Sequence, residues 1–138
     1  MTRTKKSLPT LALFLIGALA SAVALGADIK VKLSGANEEP PVTTSASGQG
    51  TITIASDGSV SGSVTTTGVA GTAAHIHMGS VRKNGPVIIP LQKNGDTYTV
   101  PVGAKLNGKQ MDAFKAGDLY INVHSAENKG GEIRGQLQ

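Results

Sequence analysis

The chain contains three histidines, and two of them, His75 and His77, lie one residue apart in "AAHIHMG". The third, His124, ends the run "LYINVH". In a strand the side chains alternate, so His75 and His77 project from one face while Ile76 projects from the other. In the second run Leu119, Ile121 and Val123 alternate toward a core, and Tyr120, Asn122 and His124 take the opposite face. If the two strands are neighbours, all three imidazoles converge. Neutral imidazole is a ligand for Cu, Zn and Ni, and three of them with an open position and no thiolate suit Cu(II) or Zn(II) best. His75, His77 and His124 are therefore the candidate metal ligands, with copper as the candidate cofactor. Asn122, Glu127, Glu132 and Arg134 are the candidates for orienting an imidazole by hydrogen bonding, whereas Met78 points away from His75 and His77. The competing reading is three solvated polar-face histidines, or ones bonded to turn carbonyls.

Other chemistry is thinly represented. There is no cysteine to act as a nucleophile or form a disulfide, and no G-x-S-x-G elbow or phosphate-cradling glycine loop. The 18 glycines sit largely beside Asn, Asp and Ser and read as turn residues. Glu38 and Glu39 are adjacent, so in an extended loop they diverge instead of forming a catalytic pair. No acid/base set emerges, which leaves copper-dependent redox activity as the enzymatic alternative.

The elements that must position the histidines are short alternating runs separated by turn signals, the period of half-buried strands. "DIKVKLSG" places Ile29, Val31 and Leu33 on one face and Lys30 and Lys32 on the other. "TITIA" and "SVSGSVTT" flank Asp57-Gly58, while "PVIIPL" and "DTYTV" flank Asn94-Gly95; both dipeptides predict hairpins with positive φ at the turn. "NEEPPVTTSASG" (37–48) reads as an extended loop, and Pro90 and Pro101 as strand ends or edges. "GKQMDAFKAG" is the one helical candidate, stopped by Gly117. "EIRGQL" would turn Ile133 and Leu137 inward and Glu132, Arg134 and Gln136 outward. Seven to nine such strands predict an all-β antiparallel sandwich or barrel with one short helix.

The N-terminus has a different character. Arg3, Lys5 and Lys6 precede the apolar run "LALFLIGALASAVAL" and the small residues "GAD", the form of a secretory signal peptide over residues 1–26. The run is shorter than a spanning helix needs, so no membrane association is expected after cleavage. Three of the 13 basic residues belong to this leader, leaving 10 against 9 acidic ones, a net charge of +1. With that balance, and Tyr98, Phe114 and Tyr120 as the aromatics beyond the leader, nucleic acid is not an expected partner. Residues 27–138 suit one domain, exported to a periplasm or secreted.

The segments "LSGANEEPPVTTSASGQGTITI", "AAHIHMG", "NGPVIIPL" and "LYINVHSAENKGGEIRGQL" together resemble the CHRD domain, a module named from repeats in chordin. The resemblance spans about residues 28–138. It implies an immunoglobulin-like Greek-key β-sandwich, similar in outline to the Cu/Zn superoxide dismutase fold. The resemblance carries no established activity; the leader, the small single domain and the absence of an acid/base set instead point to a non-enzymatic extracytoplasmic binding module, whose partner is an extracellular or envelope macromolecule. The copper strand of the dismutase likewise carries a His-x-His, and a later strand returns another His, so His75, His77 and His124 resemble part of such a site. A copper-binding protein is thus the alternative expectation. The histidines do not suffice for a full second metal site.

Overall fold

The computed structural model describes residues 25–138 and, ahead of them, Gly17 alone. The predicted leader thus lies outside the described residues, apart from Gly17, Leu25 and Gly26. Among the described residues no helix is long and apolar enough to cross a membrane.

The alternating runs form nine strands: β1 (Gly26–Ser34), β2 (Ser47–Ala55), β3 (Val60–Thr67), β4 (Gly71–Met78), β5 (Val87–Pro90), β6 (Gln92–Asn94), β7 (Thr97–Thr99), β8 (Leu119–Ser125) and β9 (Ile133–Gln136). One helix, α1 (Gly108–Lys115), precedes β8. It begins where the sequence asks it to. The Asn107 side chain accepts from the Gln110 N–H and the Gln110 side chain accepts from the Asn107 N–H, both at 2.9 Å, a capping box that satisfies two otherwise unpaired donors.

Every strand pairing is antiparallel, in the order β5-β4-β8-β9-β1-β2-β3-β7-β6. The two ends of that order, β5 and β6, are separated in the chain by Leu91 alone, whose N–H bonds the Ala74 carbonyl at 2.9 Å. Residues 87–94 are therefore one bent strand whose first half pairs with β4 and whose second half pairs with β7. This bend brings the sheet nearly to closure and leaves short edges, which limits strand-to-strand association with other chains. The chain skips over two neighbours in passing from β3 to β4, and again from β7 to β8, so the connections are Greek-key. At the other seam β1 and β9 meet through a single pair, Ser34 with Arg134.

The inward faces make one apolar core, including Leu33, Ile52, Val64, Ile76, Ile121 and Ile133. Each such side chain contributes about 1.5–3 kcal/mol on burial, which lets a chain without disulfides hold together by packing. The inward and outward residues of β1, β4, β8 and β9 are those expected from alternation.

Two turns differ from expectation. The Asp57-Gly58 hairpin forms, but among its central residues only Gly58 has positive φ (+90°); Asp57 instead accepts the Ser59 N–H through its carboxylate at 2.9 Å. This is a three-residue loop ending in a left-handed glycine, not a two-residue primed turn. The second hairpin turns one residue later than predicted: Asn94 pairs with Thr97, so the loop is Gly95-Asp96.

Candidate metal centre

β4 and β8 are adjacent, with His75 opposite Asn122, His77 opposite Tyr120 and Ala73 opposite His124. Since a sheet presents alternate residues to one face, this register lays all three imidazoles on the same outer face. One ring nitrogen from each of His75, His77 and His124 lies within 4.8 Å of the other two. A tetrahedral ion about 2 Å from each would need about 3.3 Å between them, so the rings would have to close in to hold one.

Hydrogen bonds define the tautomers. A carbonyl only accepts, so His77 Nδ1 donates to the Gly85 carbonyl (2.9 Å) and His124 Nδ1 donates to the Lys129 carbonyl (2.7 Å). Each bond leaves an Nε2 lone pair on the far side of the ring. His124 uses its lone pair to accept from His75 Nδ1 at 3.0 Å. His77 Nε2 is buried with no partner at all. Outer bonds from ring N–H to backbone carbonyl are how metal-ligating histidines are commonly held.

The outer face is not the solvated surface that alternation suggests. His77, Tyr120, Asn122 and Arg134 are all buried. Tyr120 lies between neighbours on both adjoining strands: the His77 ring stacks on it (centroids 4.7 Å apart, planes 3° off parallel), and the Arg134 guanidinium carbon sits 3.4 Å from its ring centroid. Arg134 also donates to the carbonyls of Ser80 (2.9 Å) and Lys83 (3.1 Å), which draws the 79–86 loop over the sheet. From the other side Asn37 donates to the Arg134 carbonyl (3.1 Å), and Asn84 donates to the Glu39 carbonyl (2.8 Å). Beneath these loops Glu38 is 2 % exposed.

Burial sets the electrostatics. It pushes the His75 pKa below the ordinary imidazole value, and the neighbouring His124 and His77 act in the same sense. His77 is also lowered, chiefly by burial, against the opposing effect of its bond to Gly85. Glu38 is raised to about 7 by burial, opposed by the Asn122 amide and the Arg134 charge. Burial thus favours the neutral imidazole at His75 and His77, the protonation state a metal requires.

Of the residues expected to orient the imidazoles, Asn122 lies beside His77. Glu132 does not serve them: its carboxylate accepts from Ser125 (2.8 Å), Thr44 (2.9 Å) and Asn128 (3.2 Å). Arg134 reaches Tyr120 and backbone carbonyls, and Glu127 is exposed. The carbonyls of Gly85 and Lys129 do the orienting instead. Those carbonyls carry no side-chain signal in the sequence, because carbonyl direction depends on loop conformation, and Glu38, legible there only as half of a diverging pair, gave no sign that it would be buried beside Asn122.

Fold and site together define a Greek-key β-sandwich, nearly closed by its bent strand, that carries a strand-borne cluster of three imidazoles. The family model of the CHRD domain matches residues 29–137, nearly all of the described chain, and the protein belongs to that family. Comparison with curated proteins and with solved structures finds no match.

Proposed function

We propose that this CHRD-domain protein is an exported binding module whose ligand is a transition-metal ion, copper(II) before zinc(II), held by His75, His77 and His124. The observation that carries this reading is the unpartnered, buried Nε2 of His77, beside two more imidazoles whose nitrogens lie within 4.8 Å. An imidazole in that state costs stability unless something fills its lone pair. Three nitrogen ligands with an open position fit Cu(II) and also permit Cu(I), so a redox role follows from the same donor set. The signal-like N-terminus supports placement in a periplasm or outside the cell, where no bulk thiol pool competes for copper.

The test is a copper titration of the metal-stripped protein, followed by electron paramagnetic resonance, beside a variant carrying His75→Ala, His77→Ala and His124→Ala. One tight equivalent with nitrogen hyperfine structure, absent from the variant, is expected. Weak uptake that is equal in both would overturn the metal reading. It would favour a non-enzymatic module for an extracellular or envelope macromolecule, in which the histidine cluster is structural.

A further inference from the structure

Three acceptor atoms in the outer polar layer are buried without a hydrogen-bond partner: His77 Nε2, Asn122 Oδ1 and Glu38 Oε1. Their residues are 7 %, 1 % and 2 % exposed, so bulk solvent does not complete them. The Asn122 amide lies beside both the Glu38 carboxyl and the His77 ring. Carboxyl and amide meet over Gly131, where a Cβ would strike both Glu38 Oε1 and Asn122 Nδ2. Each unpaired polar atom costs about 1–3 kcal/mol, and three of them, linked through Asn122, form an arrangement that a protein keeps only if something answers it.

One metal-bound water answers all three. The ion takes the His77 lone pair, and the two O–H groups of its water have two acceptors waiting, the amide oxygen and the carboxylate. Resting on the three-histidine reading, we infer that the open position of the metal centre carries an exchangeable water held by Glu38 and Asn122, and that this position selects small oxygen ligands bearing a proton, such as water or a hydroperoxide, over aprotic anions. A proton-bearing ligand donates to both acceptors, whereas an anion such as azide meets the Glu38 carboxylate with no proton to offer it. Glu38 is then a positioning and specificity residue reached through the bound ligand, not a metal ligand, in keeping with its absence from the three-residue ligand cluster.

The test uses Cu(II)-loaded protein at about pH 8, above the imidazole range. Paramagnetic resonance in oxygen-17-enriched water reports a bound oxygen directly, and azide titrations of the wild type and of Glu38→Gln report selectivity. The expected result is oxygen-17 broadening in the wild type and azide affinity about tenfold higher in Glu38→Gln, the effect of removing one nearby negative charge and supplying an amide donor. The near-isosteric Gln keeps the packing, and the oxygen-17 measurement needs no variant. Copper held by three nitrogens with no exchangeable oxygen, or with equal azide affinity in both proteins, would overturn this inference alone. Failure of the wild type to bind copper would overturn the three-histidine reading as well.

Discussion

His75 Nδ1 and His124 Nε2 are 3.0 Å apart, and the proton between them belongs to His75. His124 has already committed its own Nδ1 proton to the Lys129 carbonyl. In the metal-free protein, ring nitrogen-15 NMR should therefore show His77 and His124 as the Nδ1–H tautomers. Adding Zn(II) should shift Nε2 of both and break the His75–His124 bond. Finding either ring as the Nε2–H tautomer would remove the prepared lone pair.

Glu38 gives the metal-free protein a pH dependence of defined sign. Its folded pKa of about 7 exceeds the ordinary value of 4.5. Below the ordinary value the carboxyl is protonated in both states and burial carries no ionic penalty. As pH rises toward 7 the unfolded chain ionises first, and the fold loses up to roughly 3 kcal/mol. His75 and His77 act oppositely: their folded values lie below 6.5, so they destabilise the fold as pH falls from 6.5 through those values. Comparing wild type with Glu38→Gln isolates the carboxyl. Urea denaturation should find the variant more stable at about pH 8 and this advantage absent at about pH 4.

Glu132 ties three segments together through its bonds to Thr44, Ser125 and Asn128. Burial works to raise its pKa, but those bonds prevail and hold it below the usual carboxylate range. Glu132→Ala leaves two hydroxyls and an amide without their acceptor, and should cost about 2–4 kcal/mol in denaturant unfolding. Copper stoichiometry should survive, because this cluster does not touch the imidazoles. A loss of copper binding at unchanged stability would contradict that separation.

Gly131 combines a φ of +125° with the close approach of Glu38 and Asn122. Gly131→Ala should therefore destabilise the protein by about 2–4 kcal/mol through backbone strain and collision together. Gly130→Ala is the control, since a Cβ there meets nothing within 4 Å. Equal melting temperatures for the two variants would show that the cradle is looser than described.

Much of this was legible in the sequence. Period-two alternation assigned Ile76, Ile121 and Val123 inward and the three histidines outward, and adjacency of β4 and β8 did the rest. The covering of the outer face was not legible. Tyr120, Asn122 and Arg134 have the alternation of solvent-facing residues, yet the 35–46 and 79–86 segments lie over them, and such segments have no period to read. The bend at Leu91 was legible in part: Pro90 reads as a strand end and β5 does stop there, but alternation says nothing about the change of partner beyond it. The hairpin at Gly95-Asp96 fell one residue from prediction because Asn94 was needed in the ladder opposite Thr97.

The β1–β9 seam joins Ser34 to Arg134, residues 100 apart in the chain, and β4 reaches β8 across some 50 residues. Pairings this distant must close large loops before they gain anything, and all-β chains built on them fold in about milliseconds to seconds instead of microseconds. The histidine cluster therefore cannot act as a seed for the fold. An unfolded chain offers a metal only the isolated His75-Ile76-His77 pair, and His124 arrives when β8 docks. On the proposed three-histidine reading, a metal would therefore load only onto the finished fold, as the last event in maturation.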